Sequence, residues 1–389
     1  MKINLQYTFL QKFVATTCLL FLSFTTVSNA AQNEFPKGPE LDIKSYLLVD
    51  YHSGVELAKK NPDKRVEPAS ITKLMTAYVI YQELEKKSIS LDDKVLISKK
   101  AWKMEGSRMF VEAGKKVPFN RILHGLIIQS GNDAAVALAE HISGTEVAFV
   151  ERMNQQAKKL GMNSTHFVNV TGWPDKNHYT TPRDIVILTR ALIKNYPEHY
   201  KIYKTKEYSY NGIKQYNRNK LLWRDKTVDG VKTGHTNSAG YCLVASAKRN
   251  EMRLISVVLG AKDDKSRADN SQELIEYGFR LYETHKLYDA GSVLSEARIW
   301  KGQQNTVPVG ILNDFYVTVE KGHYKQLKGL MELNNKLDAP IKRGDVVGKA
   351  IIMDGTTKVI EVPLLALDNV DKGGFWSGVT GSIKKIFVK

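Results

Sequence analysis

The order in which β-type and helical stretches follow one another limits this chain to few architectures. Ser45-Tyr-Leu-Leu-Val-Asp50 is apolar and β-rich, Ser53-Gly54 is turn chemistry, and Val55-Glu-Leu-Ala58 resumes the strand, which predicts a hairpin. Pro68-Ala-Ser70 then opens a helix, with Ile71, Leu74, Met75, Tyr78 and Val79 at a helical apolar period. From about 88 to 200 the pattern is mostly helical, most clearly at Ile122 to Ile128, Ala134 to His141, Val147 to Leu160 and Asp184 to Ile193. Short β runs return at Val228 to Lys232, Tyr241 to Ala247 and Arg253 to Gly260, and Glu273 to His285 reads as helical. A helical insert between an N-terminal hairpin and later strands predicts an α/β sandwich with an antiparallel sheet, not a doubly wound one.

After residue 285 the composition changes. Ile299 to Trp300, Val307 to Ile311, Phe315 to Val319, Val346 to Met353 and Val359 to Val362 are short β runs separated by Gly, Asn and Asp turns. They predict a small all-β domain over 286–370, and no constellation of reactive residues lies in it. A length of 389 residues with 42% hydrophobic content suits two folded domains with small appendages.

Both ends read as addresses. Lys2 and Lys12 precede an apolar run from Phe13 to Val27 that ends in Ser28-Asn29-Ala30, the pattern of a secretory signal over residues 1–30 with cleavage expected after Ala30. An uncleaved anchor is the alternative. Export from the cytoplasm is therefore expected. At the other end, residues 371–389 place Phe375, Trp376, Val379, Ile383, Ile386 and Phe387 within an arc of about 120° if helical, with Lys384, Lys385 and Lys389 outside it. That is the layout of an amphipathic helix lying on an anionic membrane surface; a helix docked on the β domain is the alternative.

Charge narrows the partners. The chain carries 57 Lys+Arg against 41 Asp+Glu, a net +16, which suits a polyanionic partner or simply a cationic surface. No basic block is interleaved with aromatics, so no nucleic-acid partner is expected. Cys18 lies in the segment expected to be removed, which leaves Cys242 alone and no internal disulfide. No Cys/His cluster has zinc-ligand spacing and no His-Glu-x-x-His occurs, so neither metal nor other cofactor is expected.

Three short motifs carry the chemistry. Ser70-Ile-Thr-Lys73 puts a hydroxyl and an amine on one helix face, and an uncharged lysine could take the proton that makes serine a nucleophile. A serine in a first helical turn also offers its own N–H to a developing oxyanion. Ser130-Gly-Asn132 follows an apolar helix; its hydroxyl could pass a proton to a leaving amine and Asn132 could hold a substrate amide. In Lys232-Thr-Gly234, Thr233 and the strand backbone could align an extended peptide, while Lys232, as a second cation near Lys73, would lower the pKa of the base. Ser382 and Lys385 repeat the first spacing and Ser209-Tyr-Asn211 the second, so each alone is consistent with a helix cap or a turn; Lys-Thr-Gly has no second copy. The ordered trio, each on the required element, points to one shared site.

At these residues the chain resembles the low-molecular-mass penicillin-binding proteins, the serine D-Ala-D-Ala carboxypeptidases of peptidase family S11. Tyr46-Leu-Leu-Val-Asp50, Arg65, Pro68 to Thr76, Gln129 to Ala135, Asn217-Arg-Asn219, Asp229 to His235 and Ala239-Gly-Tyr241 extend the match over essentially the whole mature chain. The resemblance implies a transpeptidase/β-lactamase-like α/β/α domain over 31–285, a β-rich domain after it, and action on peptidoglycan stem peptides with acylation by β-lactam antibiotics. It further implies Ser70 as nucleophile, Lys73 as base, Ser130 and Lys232 as proton relay, and an oxyanion hole from the N–H groups of Ser70 and His235. Asn132, Thr233, Gly234, Arg267 and Arg218 would bind substrate, the arginines its terminal carboxylate. The stretch Gly161 to Thr181 contains no glutamate of the kind class A β-lactamases use, and it reads Val170-Thr-Gly-Trp173 where some relatives have Val-His-Gly-Leu. A β-lactamase, a non-catalytic peptidoglycan-binding scaffold and an endopeptidase remain as rival readings.

Overall fold

A computed structural model of the chain describes residues 37–374. The segments read as a secretory signal and, beyond Gly374, as an amphipathic tail lie outside them.

Five antiparallel strands form the central sheet in the order Glu56–Lys60, Ser45–Asp50, Met252–Ala261, Gly240–Arg249, Val228–Thr236. The N-terminal hairpin pairs directly with a strand some two hundred positions later, register Ser45↔Leu259 to Asp50↔Leu254. Successive side chains point to opposite faces of a strand, so Leu47, Val49, Val244, Ile255 and Val257 join the core beneath the helical lobe. Leu48, Leu243, Ala245 and Leu254 join the core on the other face, against the helix Asp264–Leu281. This is the expected α/β/α sandwich with an antiparallel sheet.

The helical lobe is less helical than its sequence suggests. Helices at Lys73–Glu85, Asn132–Ser143, Glu146–Leu160 and Pro182–Asn195 stand where the apolar period places them. Between the first two, the helix expected at Ile122 to Ile128 is present as Phe119–His124 running into the π-helical turn Gly125–Gln129, whereas the residues before it form loops, a single helical turn Lys99–Trp102 and a two-stranded hairpin, Lys94–Leu96 with Lys116–Pro118. A second small hairpin, Glu207–Tyr210 with Ile213–Tyr216, also went unpredicted. The reading of Glu273 to His285 as one helix is corrected as well. The helix begins at Asp264, capped reciprocally by Asp263 and Ser266, and ends at Leu281; Tyr282–Tyr288 is a strand paired with Phe315–Glu320. The capping box sets the start, and Tyr282, Thr284 and the alternating exposure after Leu281 show a period of two that a short window reads as helical.

The C-terminal part has its own apolar core around Val307, Val309, Val317, Val347 and Leu364. It comprises the pair just described and a six-stranded sheet ordered Leu327–Leu333, Val346–Asp354, Thr357–Ala366, Thr306–Gly310, Val293–Trp300, Leu337–Asp338. Hydroxyl groups join it to the five-stranded sheet. Buried Asp50 accepts from Ser53 N–H at 2.7 Å, from the Ser53 hydroxyl at 2.8 Å and from the Thr284 hydroxyl at 2.9 Å. The Thr318 hydroxyl closes the network to Ser53 at 2.6 Å and to Thr284 at 2.9 Å.

Replacing Asp50 by alanine leaves the buried Thr284 hydroxyl, the half-buried Ser53 hydroxyl and the Ser53 N–H without their acceptor. Asp50→Ala is expected to cost about 2–3 kcal/mol, read as a lower melting temperature, and Asp50→Asn less, because one carbonyl acceptor remains.

Candidate active site

Ser70 sits in a turn that the backbone enters under constraint. Ala69 has a positive φ of 47°, unusual for a residue with a side chain, and a 3-10 turn Ala69–Thr72 leads into the helix Lys73–Glu85. Two glycines let other segments close around this turn. A Cβ on Gly172 would fall 1.7 Å from the Ala69 carbonyl oxygen, and Gly172 itself has φ +87°. One on Gly234 would lie 3.1 Å from the Pro68 carbonyl oxygen and 3.2 Å from Ala69 Cβ. The Lys-Thr-Gly strand therefore runs directly beside the nucleophile turn.

Lys73 is fully buried. Its Nζ lies 2.9 Å from Ser70 Oγ, 2.7 Å from Asn132 Oδ1 and 2.9 Å from the Thr171 carbonyl. Two of these three neighbours are carbonyl oxygens that only accept. A neutral amine has two hydrogens and one lone pair, so with both hydrogens given to Asn132 and Thr171 the lone pair meets the Ser70 hydroxyl, which donates to it. Burial, reinforced by the Arg218 guanidinium, pulls the Lys73 amine down to about 7, with Asp133 opposing. The sequence reading gave the role of lowering cation to Lys232. In the structure burial leads, Arg218 is the reinforcing charge on Lys73, and Lys232 is the recipient: burial first, then Lys73, Arg218 and Arg267 hold its amine well below the ordinary lysine range.

Lys232 Nζ lies 2.8 Å from Ser130 Oγ and 3.0 Å from the Thr233 carbonyl. Ser130 follows a π-helical turn, Gly125–Gln129, and takes a left-handed conformation at φ 64°. The three motifs thus converge. Lys73 ties the first to the second through Asn132, Lys232 ties the third to the second through Ser130, and Gly234 packs the third on the first.

The cleft above them has a volume of about 860 Å³ and is lined by Ser70, Ser130, Asn132, Thr233, Gly234 and His235, together with Arg218 and Arg267. Every residue singled out from the sequence contacts it or, for Lys73 and Lys232, bonds to one that does. Asn132 is held on both sides, its Nδ2 donating to the Glu105 carbonyl at 2.7 Å. Arg267 is buried, donates to the Gly234 carbonyl at 3.2 Å and pairs with Asp264. Arg218 has no hydrogen bond or ion pair among the described residues, leaving its fork open to the cleft. It is presented by two locked asparagines: Asn217 Oδ1 accepts from Asn219 N–H at 3.0 Å, and Asn219 Nδ2 donates to the Gly230 carbonyl at 2.8 Å. Among the described residues no cluster of His, Cys, Asp or Glu could hold a metal ion.

Several supporting residues were missed in the sequence. Asn169 Oδ1 accepts from the N–H groups of Thr171, Gly172 and Trp173, shaping the loop whose carbonyl meets Lys73. His178 Nε2 and Thr72 Oγ1 lie 2.9 Å apart, tying that loop to the nucleophile turn. Asp133 accepts from the N–H groups of Met109, Phe110 and Val111 and fixes the segment beside Asn132. Asn-x-Thr-Gly at 169–172 is a turn signal, whereas nothing local announces the reach of His178 or Asp133.

The chain resembles known proteins along most of its length. Residues 30–263 match the D-alanyl-D-alanine carboxypeptidase family, peptidase family S11, and residues 282–372 match the C-terminal domain of penicillin-binding protein 5. The chain is 39% identical to the D-alanyl-D-alanine carboxypeptidase DacA of Escherichia coli, covering 97% of each. It is 41% identical to DacC of the same organism, over 95% of this chain and 94% of that one. The crystal structure of penicillin-binding protein 5 from Haemophilus influenzae superposes with a TM-score of 0.84 at 40% identity, over 87% of this chain and all of that one. The chain belongs to the S11 family of serine-type D-alanyl-D-alanine carboxypeptidases.

A lysine acting as base on Ser70 must be neutral, which would give acylation an acid limb. The acylation rate is expected to fall roughly tenfold per pH unit below about pH 7, as Lys73 becomes protonated. Arg218→Gln removes the reinforcing cation and should move that midpoint to higher pH, read from the pH profile of acylation by a chromogenic β-lactam; a midpoint that stays put or moves down contradicts the assignment.

Proposed function

We propose that the chain removes the terminal D-alanine from peptidoglycan stem pentapeptides through an acyl-enzyme on Ser70. The observation that carries this reading is the Ser70 hydroxyl 2.9 Å from an amine that burial holds near neutrality. The stem peptide lies along the strand Val228–Thr236, its terminal carboxylate between Thr233 and the guanidinium groups of Arg218 and Arg267. Lys73 takes the Ser70 proton as Oγ attacks the carbonyl between the two D-alanines. The N–H groups of Ser70 and His235 receive the oxyanion. Ser130, hydrogen-bonded to Lys232, passes its proton to the departing amine and regains one from the protonated Lys73, so Lys73 is neutral again as free D-alanine leaves. Water, deprotonated by the same Lys73, then hydrolyses the ester, and Lys73 returns that proton to Ser70 Oγ. Asn132 orients both Lys73 and the substrate amide.

β-Lactams acylate Ser70 by the same attack. Their leaving amine stays joined to the acyl group and obstructs the approach of water. No glutamate lies between Gly161 and Thr181 to activate water from the other side. Slow release, not β-lactamase turnover, follows.

The residues also favour a place for the enzyme. Residues 1–30 carry the features of an export signal and residues 371–389 those of a helix lying on an anionic membrane. Among the described residues no helix is long and apolar enough to cross a membrane. In this reading the enzyme works at the periplasmic face of the inner membrane, held peripherally by its tail, and its excess positive charge faces headgroups and cell wall instead of nucleic acid.

Incubation with a pentapeptide ending in D-Ala-D-Ala should release free D-alanine. Ser70→Ala is expected to lower the rate by roughly 10⁴-fold or more and Lys73→Ala by roughly 10³-fold; undiminished release in Ser70→Ala rejects the mechanism. Mass spectrometry after benzylpenicillin should find one adduct, on Ser70, and nitrocefin should give a single burst without fast turnover.

A further inference from the structure

The six-stranded sheet has two unlike edges. At one, Leu337–Asp338 is only two residues long and runs into Ala339-Pro340, a blunt end that offers little backbone to a partner. At the other, Leu327–Leu333 is seven residues long, contains no proline, and pairs with Val346–Asp354 in an unbroken register from Leu327↔Asp354 to Leu333↔Gly348. No strand among the described residues pairs with its free side. Leu330 is 52% exposed and Met331 40% exposed, and being consecutive they point to opposite faces.

We propose that this edge pairs antiparallel, about a two-fold axis through Leu330, with the same strand of a second copy of the chain. The sequence Leu-Lys-Gly-Leu-Met-Glu-Leu is complementary to its own reverse. With Leu330 opposite its twin, Lys328 falls opposite Glu332 and Gly329 opposite Met331. Lys328, Leu330 and Glu332 share one face, so a Leu–Leu contact is flanked on both sides by an ion pair. On the other face Met331 meets Gly329, where a side chain has room: a Cβ there would find only Ile352 Cδ1, at 3.8 Å. Lys328 has no ion pair among the described residues, and Glu332 holds Lys349 at 3.1 Å, a lysine that also lies 3.8 Å from Glu361. Moving the axis by one residue sets Lys328 opposite Leu330, or opposite Asn334 with Glu332 opposite Leu330, and makes no ion pair either way. Moving it by two sets Lys328 or Glu332 opposite itself, and parallel in-register pairing does so for both. Only the proposed register satisfies the charges.

One seven-residue strand per copy buries less than the roughly 1,200 Å² of a stable complex, so the contact is weak and is best trapped covalently. Facing residues of antiparallel strands have Cα atoms about 4.5–5.5 Å apart, within disulfide range. The test uses the full chain with Cys18→Ser, leaving Cys242 buried. Leu330→Cys should form a disulfide-linked dimer on mild oxidation at least tenfold faster than Leu96→Cys, whose site in the catalytic domain is 59% exposed. Adding Lys328→Glu should slow the cross-link at least fivefold, and adding Lys328→Glu with Glu332→Lys should restore it. A cross-link no faster at 330 than at 96 overturns the proposal, as does one indifferent to the single charge change. Failure of the double exchange to restore it also overturns it, and would mean that the edge receives another strand.

Discussion

The proposed chemistry of this molecule depends on burying one amine. A lysine ammonium taken out of water loses far more hydration than any single contact returns, so Lys73 sheds its proton near neutrality instead of carrying it into the core. The fold then supplies two carbonyl acceptors, from Asn132 and Thr171, that take its hydrogens and leave its lone pair on Ser70. Lys232, buried beside it and bonded to Ser130, is subject to the same penalty. Across this dry site the charge of Lys73 adds to the burial that holds the Lys232 amine well below the ordinary lysine range.

Burial of this kind needs a rigid wall, and the wall is built from close backbone approaches. Gly172 brings the loop after Asn169 against the Ala69–Ser70 turn at a distance no side chain permits, and Gly234 brings the Lys-Thr-Gly strand there at a distance that leaves a side chain little room. The strand is anchored at its start, where Asp229 binds Arg253 through two bonds of 2.8 and 2.9 Å and accepts the Tyr200 hydroxyl at 2.9 Å. The positive φ at Ala69 and Ser130 is the cost of aiming two hydroxyls into one cleft, and the packed sheet on one side and helical lobe on the other hold both in place. The hydroxyl network around Asp50 extends that rigidity to the β domain.

The antiparallel sandwich and the all-β domain were legible because burial imposes a period of two on strands and about 3.6 on helices, and long segments such as Glu146–Leu160 and Pro182–Asn195 display it. Short elements were not: the hairpin Lys94–Leu96 with Lys116–Pro118 has three residues per strand, too few for a period to emerge. The strand Tyr282–Tyr288 follows its helix without a break and was absorbed into it. Leu327–Leu333 lacks alternation because an edge strand exposed on both faces has no buried side to mark.

Sequence alone determined which groups could do chemistry here, a serine and a lysine on one helix face, a second serine with an asparagine, and a lysine on a strand, because each motif is local and its spacing fixes its geometry. It could not say which cation presses on Lys73, that the Thr171 carbonyl takes one of its hydrogens, or that His178 and Asp133 brace the walls. Those facts depend on distances between segments far apart in the chain, and only packing the helical lobe onto the sheet decides them. A pKa depends on burial and on charges brought near through space, so it belongs to the folded molecule and not to the string of residues.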